Sequence, residues 1–162
     1  MMQLLIMRHG DAAMTIPDAA RVLTQQGVQQ VQQQANQLLQ EQLIPDQIIA
    51  SPLQRAQQTA ELVAQAIAPA VKVKTLGSLT PNDSPQTALQ ALDDKANSGE
   101  VSLDTGCILV VSHLPLVAVL TSLLVEGHQQ RAFTFMTADV VVLEAEVIAA
   151  GCCQLLKQLR VQ

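Results

Sequence analysis

The chain has 162 residues, 49% of them apolar and 14% charged, with a formal net charge of −5 at pH 7. This size favours a single domain, residues 1–162, with a hydrophobic core of its own. The negative charge, the two Phe and the absence of Trp and Tyr argue against nucleic acid or an anionic membrane as a partner. No apolar run approaches the roughly 18 to 20 residues that span a bilayer, and no signal peptide is visible, so we expect a cytoplasmic protein.

The N-terminal elements are a short strand and a long helix. Residues 3–7 are an apolar run typical of a strand buried on both faces of an α/β sheet. After a loop with Pro17, apolar residues recur at helical spacing from residue 24 to about 42, with Thr24 as a candidate N-cap. The glutamines of QQVQQQ then form the solvated face of this helix. A disordered polyglutamine segment is the alternative.

The central part of the chain predicts two further strands and two helices. Residues 46–50 indicate a strand, after which Ser51 is a candidate N-cap and Pro52 the first residue of a helix that runs to about residue 67. The predictions that follow are, in order, a strand at 71–75, a loop at 78–85 and a short helix at 85–96.

The C-terminal part begins with another buried strand, CILVV at residues 107–111. Pro115 then opens a helix to about residue 125, and residues 137–160 indicate two strands with a turn near Gly151. The alternation of strands and helices predicts a three-layer α/β/α sandwich around a mainly parallel sheet, in which ligands bind beyond the carboxyl ends of the strands.

The cysteines do not suggest a disulfide framework or a metal site. Cys107, Cys152 and Cys153 are odd in number, and the adjacent pair has no metal-ligand spacing. We expect them to be reduced residues that pack within strands.

Three of the predicted strands end in residues that can bind an anion. Arg8 and Arg55 can each form a forked pair of hydrogen bonds to a phosphate, and the helix that follows Ser51 adds free N–H groups at its N-terminus. Gly10 leaves room for close approach of the backbone. Ser112-His113 follows the strand at residues 107–111, so all three segments meet at one edge of the sheet.

The two histidines at this edge suggest phosphoryl transfer, and we expect no metal ion or other cofactor because Arg8, Arg55 and the helix N-terminus already supply positive charge. One ring nitrogen of His9 can attack phosphorus if the proton on the other nitrogen is held by an acceptor, and phosphohistidine is then the intermediate. His113 can donate a hydrogen bond to the phosphoryl oxygens as negative charge develops on them.

Four segments together resemble the histidine phosphatase superfamily, also called phosphoglycerate-mutase-like: IMRHGDA, RVLTQQG, SPLQRAQQTA and VVSHLPL. The short chain and the forms IMRHGDA and VVSHLPLV are most similar to bacterial SixA-type phosphohistidine phosphatases. The resemblance implies that His9 is the nucleophile, that Arg8, Arg55 and His113 bind the phosphoryl group, and that Arg21 lies at the pocket rim. It implies no metal.

The chain departs from larger members of the superfamily at the proton donor. Many of them have a glutamate in a Leu-x-Glu pattern after the third strand, whereas this chain reads Leu79-Thr80-Pro81. Asp83 or Asp11 is an alternative acid. A protonated phosphoramidate leaves readily as neutral imidazole, so a phosphohistidine substrate needs less help from an enzymic acid than a sugar phosphate does.

The function that we predict is removal of phosphate from a phosphohistidine-bearing protein, such as a phosphotransfer domain, with inorganic phosphate as the product. The alternatives are hydrolysis of a small phosphate ester and, less favoured, a domain that binds phosphoproteins without catalysis; mutase activity is least favoured. The chain between Arg55 and His113 is already assigned to regular elements, which leaves little for a lid over the pocket. An open pocket favours a protein substrate that contacts the rim near Arg21.

Overall fold

The computed structural model describes residues 1–98, 106–131 and 133–161. These residues form six strands: β1 Met2–Arg8, β2 Gln47–Ala50, β3 Val73–Thr75, β4 Cys107–Ser112, β5 Val140–Ala145 and β6 Cys153–Leu159. They also form four α-helices: α1 Gln25–Gln40, α2 Gln54–Ile67, α3 Pro85–Asn97 and α4 Leu116–Glu126. Two short 3-10 turns lie at Asp18–Ala20 and Gly77–Leu79. No helix of the described part is long and apolar enough to cross a membrane.

The strands form one mixed, mainly parallel sheet in the order β3-β2-β4-β1-β5-β6. β1, β2, β3 and β4 pair in parallel, whereas β5 is antiparallel to both β1 and β6. Because Met7 pairs with Val140, β5 begins at the edge of the sheet where β1 ends. The carboxyl ends of β1, β2 and β4 and the segment before β5 therefore meet at one edge.

Helices cover both faces of this sheet, which confirms the predicted three-layer sandwich. Leu4 and Ile6 of β1 pack into a core with α3 and α4, whereas Leu5 and Met7 pack into a second core with α1 and α2. Successive side chains of a strand point to opposite faces, so a continuous apolar strand serves both cores.

Helix α1 confirms the amphipathic prediction and excludes the polyglutamine alternative. The Thr24 side chain accepts a hydrogen bond from the Gly27 N–H and caps the helix. Most of the glutamines are solvated, as predicted, but Gln34 is fully buried, where its amide donates to the carbonyl oxygens of Ala138 and Leu159.

The start of α2 differs from the prediction. Ser51 is not the N-cap and Pro52 is not the first helical residue, because the helix begins at Gln54 after Leu53. The Ser51 N–H still donates to the Val111 carbonyl at 3.0 Å, so this residue continues the sheet pairing and cannot also enter a helix.

The remaining elements match their predicted type, with ends shifted by up to three residues. The turn between β5 and β6 contains Gly151, where the sequence predicts a turn. Its φ of +71° lies in the left-handed region that favours glycine. All three cysteines are free, with Cys107 and Cys153 buried and Cys152 exposed.

The loop after β1 packs against α1 with no room for a side chain. A Cβ atom on Gly27 would lie 2.0 Å from the Asp11 carbonyl oxygen, and one on Gly10 would lie 2.8 Å from the Gly27 carbonyl oxygen. Glycine at both positions lets the loop approach the helix backbone directly.

We expect Gly27→Ala to destabilise the protein, although the same change in an open helix gains about 1 kcal/mol. The new methyl group must displace the Asp11 backbone, and such overpacking costs about 1–3 kcal/mol or more. Chemical denaturation followed by circular dichroism measures the change. Gly77→Ala is the control, because a Cβ there meets nothing within 4 Å. A Gly27→Ala protein as stable as the parent would contradict the close approach.

Candidate active site

Arg8 and His9 stand where the central strand β1 leaves the sheet. Arg8 is the last residue of β1 and pairs with Ser112 at the end of β4. The His9 N–H donates to the Ser112 carbonyl at 3.1 Å, and the His9 side chain is buried. The end of the strand pairing therefore fixes the backbone of both residues.

The His9 ring is oriented by its own loop. Nδ1 lies 2.7 Å from the Gly10 carbonyl oxygen, and since a carbonyl only accepts, Nδ1 carries the proton. Burial, opposed by the Gly10 hydrogen bond and reinforced by the positive charges of Arg55, Arg8 and Arg21, lowers the pKa of His9 to about 4. His9 is therefore neutral near pH 7, with the Nε2 lone pair available for attack.

His113 comes from the end of β4 to face His9, with ring centroids 5.0 Å apart. Burial, then the nearby His9 and Arg55, lower the pKa of His113 to about 3. Its Nε2 lies 2.7 Å from Ser51 Oγ, which itself accepts from the Leu53 N–H. The Ser51 hydroxyl can donate its proton to Nε2, and in that tautomer Nδ1 of neutral His113 carries the proton.

Both arginines leave a buried N–H group unpaired. Arg8 donates from Nη1 to the Phe135 carbonyl at 2.9 Å, and Arg55 donates from Nη1 to the Asp18 carbonyl at 2.9 Å and from Nη2 to its carboxylate at 3.3 Å. Among the described residues, Nε of Arg8, Nε of Arg55 and Nδ1 of His113 are buried without a hydrogen-bond partner. Buried donors of this kind call for a partner, and a bound anion supplies one.

Arg21 lies on the loop between β1 and α1, near both histidines. Its Nε donates to the Ala13 carbonyl at 2.8 Å, and its Nη1 forms an ion pair with Asp18 at 3.2 Å. Asp18 therefore contacts Arg21 and Arg55 together, and hydrogen bonds from Arg21 lead the lowering of the Asp18 pKa. Sequence reasoning did not identify Asp18, which carries no motif of its own.

Thr59 links the nucleophile loop to α2. Its hydroxyl donates to the Arg55 carbonyl at 2.8 Å and accepts from the Gly10 N–H at 3.1 Å. Thr59 is fully buried, and its hydroxyl holds the Gly10 backbone without contacting the Arg55 guanidinium.

The segment just before β5 was also missed by sequence reasoning, and it holds the other side of the site. The Ala138 N–H donates to the carbonyl oxygens of Arg8 and His9, and the Arg8 N–H donates to the Asp139 carbonyl at 3.1 Å. The buried Asp139 carboxylate accepts from the Met136 N–H and from Arg160 Nη1. A lone acidic residue before an apolar strand is the one sequence signal of this network, and it is a weak one.

The two aspartates considered as the acid are engaged in their own loops. Asp11 Oδ2 accepts from the Thr24 hydroxyl at 2.6 Å, and Asp83 Oδ2 accepts from the N–H and the hydroxyl of Thr80. Both carboxylates thus act as loop caps. Within the described ranges, no three His, Cys, Asp or Glu residues gather as metal ligands.

Comparison with known proteins identifies what this arrangement is similar to. The family described as "Histidine phosphatase superfamily (branch 1)" matches residues 4–80. The chain is 34% identical to Phosphohistidine phosphatase SixA of Escherichia coli (strain K12) over 144 residues, which are 88% of this chain and 86% of that protein.

Solved structures agree with this likeness. The protein histidine phosphatase SixA complexed with tungstate has a TM-score of 0.84 and 29% identity, with 98% of this chain and 96% of that chain covered. A phosphoserine phosphatase of Entamoeba histolytica in complex with 3-phosphoglyceric acid has a TM-score of 0.69 and 19% identity, with 100% and 98% covered. At that identity the second likeness concerns the fold alone.

We expect both His9 and His113 to be unprotonated at pH 5. An unperturbed histidine titrates near pH 6.5, whereas burial among guanidinium groups holds these two pKa values near 4 and 3. Between pH 6.5 and 4 the unfolded chain binds protons that the folded chain does not, so the free energy of unfolding falls as pH falls through this window. NMR titration of the ring Cε1–H signals, assigned with His9→Ala and His113→Ala, measures both pKa values. An inflection near 6.5 for either ring would contradict the prediction.

Proposed function

Because the chain belongs to the histidine phosphatase superfamily, we propose that it is a phosphohistidine phosphatase that acts on another protein through a covalent intermediate on His9. The proposed catalytic unit is the single domain of residues 1–162, with Arg8, Arg55 and His113 as phosphoryl ligands and no metal or other cofactor. The substrate is a phosphohistidine-bearing protein such as a phosphotransfer domain, and inorganic phosphate is the product.

One observation carries this proposal: a neutral histidine stands beside three buried nitrogens that have no partner in the described part of the chain. Those nitrogens are Nε of Arg8, Nε of Arg55 and Nδ1 of His113. His9 meanwhile keeps its Nδ1 proton on the Gly10 carbonyl and leaves Nε2 free. Donors set around a nucleophile are what transfer of an anionic phosphoryl group requires.

In the first step, His9 Nε2 attacks the phosphorus atom of the substrate phosphohistidine. A new P–N bond forms to His9 while the P–N bond to the substrate ring breaks, and that ring leaves as neutral imidazole with its second nitrogen protonated. Arg8, Arg55 and the N–H of His113 stabilise the charge on the phosphoryl oxygens, where fixed donors act most strongly.

In the second step, water attacks phospho-His9 and the P–N bond to His9 breaks. His9 leaves as neutral imidazole, because the Gly10 carbonyl has kept the proton on Nδ1 throughout. The water proton goes to the inorganic phosphate. The same hydrogen bond thus prepares His9 as a nucleophile in the first step and as a leaving group in the second.

The engagement of both candidate proton donors in loop contacts favours phosphohistidine over a small phosphate ester as the substrate. Asp11 and Asp83 are held by Thr24 and Thr80 in loop contacts, which supports neither as the acid for an alkoxide leaving group. An imidazole leaving group carries its own proton and needs no such acid. Ester hydrolysis is therefore the second candidate.

We expect a phosphotransfer domain, phosphorylated on histidine with phosphoramidate, to be turned over far faster than a panel of sugar, nucleoside and serine phosphates. Rapid quenching without acid should leave a phosphoryl label on His9. His9→Ala should abolish turnover and labelling, since the nucleophile is gone. An unlabelled parent enzyme, or an active His9→Ala variant, would overturn the assignment of the nucleophile. Faster turnover of an ester would move the enzyme to the second candidate.

We expect Arg55→Lys to lower kcat at least about a hundredfold, the usual cost of losing one donor to the transition state. The Arg55 guanidinium holds Asp18 through Nη1 and Nη2 and still has Nε free, whereas a lysine has a single nitrogen for both tasks. Arg131→Lys is the control, because Arg131 is half-exposed and pairs with Glu126 at the end of α4. Near-normal kcat in Arg55→Lys, with the melting temperature unchanged, would show that Arg55 does not contact the phosphoryl group.

A further inference from the structure

The exposed apolar side chains of this protein are concentrated at the edge of the sheet that bears the site. Among the described residues, five of the exposed large apolar side chains lie on loops at this edge: Met14, Ile16, Val22, Leu114 and Met136. We call this set the collar. Met14 is 87% exposed, Ile16 is 96% exposed and Met136 is 59% exposed, so these three side chains bury little within the protein itself.

Residues of the collar contact or directly adjoin residues of the site in three chain segments. Met14 and Ile16 lie on the loop between β1 and α1, where Arg21 Nη2 contacts Met14 Sδ at 3.2 Å. Leu114 directly follows His113. Met136 directly follows Phe135, whose carbonyl accepts from Arg8.

Single exposed apolar residues are ordinary on protein surfaces, whereas half of the ten that the described residues expose lie on loops at this one edge, as at an interaction surface. A phosphohistidine held in the pocket is attached to its own domain by a short side chain, so the surface of that domain must cover the pocket mouth. The collar is the surface that it would then meet.

The charge of the chain points to the same conclusion. With a net charge of −5 the protein offers no long-range attraction to a phosphorylated partner, and the positive groups of the site are held in the pocket. Affinity for the rest of the partner must then come from short-range apolar contact, which salt weakens little.

We propose that the collar is the docking surface for the substrate protein, and that it packs against apolar side chains flanking the phosphohistidine on that protein. This inference rests on the proposed function. It assigns the collar to binding the protein part of the substrate, while the pocket binds the phosphoryl group.

The test compares a collar variant with a matched variant on two substrates. The collar variant is Met14→Gln/Ile16→Thr/Met136→Gln, in which the amide oxygen of the glutamine that replaces Met14 can still accept from Arg21. The control is Val147→Thr/Leu156→Gln, because both of these side chains are about half exposed and lie away from the site. The substrates are a phosphotransfer domain phosphorylated with phosphoramidate and free phosphohistidine.

We expect the collar variant to lose about tenfold or more in kcat/KM on the phosphorylated domain, chiefly through KM, from the lost apolar burial. Its turnover of free phosphohistidine should not change, and the control should behave as the parent does on both substrates. Raised salt should change KM of the parent for the domain only slightly.

Four other outcomes would overturn the inference. Equal losses on both substrates would show that the collar shapes the pocket and does not bind the partner. No loss on either substrate, or a parent enzyme with no preference for the domain over free phosphohistidine, would show that docking does not use the collar. A parent enzyme that hydrolyses neither substrate would refute the proposed function, and the collar inference would fail with it.

Discussion

The burial of two imidazoles among guanidinium groups is the constraint on which the site depends. Burial removes the water that would stabilise an imidazolium, and the nearby guanidinium charges disfavour it further, so both histidines stay neutral, with pKa values near 4 and 3. The exposed Asp18 carboxylate pairs with Arg55 and Arg21 and offsets part of this positive charge. An anion in the pocket would offset the rest, so the same electrostatics that keep His9, the proposed nucleophile, neutral also favour phosphate.

Chain segments that are distant in sequence hold this arrangement in place. Ala138 binds the carbonyl oxygens of Arg8 and His9 from one side, and Thr59 binds the Gly10 N–H from the other. On a third side, the backbone of α1 at Gly27 packs directly against the loop that follows β1. The backbone around the nucleophile is therefore held by its partners before substrate arrives, which lowers the reorganisation that catalysis would otherwise need.

Local patterns were enough to predict most of the fold and the meeting of Arg8, His9, Arg55 and His113 at one edge of the sheet, whereas the roles of these residues stay predictions. Apolar periodicity and the Thr24 cap are short-range signals, and residues at the ends of parallel strands necessarily meet at one edge. The prediction of Ser51 as a helix N-cap was wrong because its N–H pairs with the sheet and its hydroxyl contacts His113. Arg8 and Phe135, which form a hydrogen bond, are 127 positions apart in the sequence, and the residues around either one do not predict the contact. Tertiary contacts of that kind lie beyond any motif.

In the proposed function, two interactions at the same edge of the sheet select the substrate: binding of the phosphoryl group in the pocket and apolar contact with the collar. Under this proposal, the buried nitrogens of Arg8, Arg55 and His113 bind a phosphoryl group by charge and hydrogen bonding and would accept it from many donors. Discrimination among donors must then come from whatever surrounds the pocket, and there the chain presents the apolar collar beside the Arg21–Asp18 ion pair. A small ester can use only the first interaction, whereas a protein-borne phosphohistidine can use both. Because the second interaction involves the part of the substrate that does not react, it strengthens binding of ground state and transition state alike. The collar is therefore expected to act on KM, and the pocket on kcat.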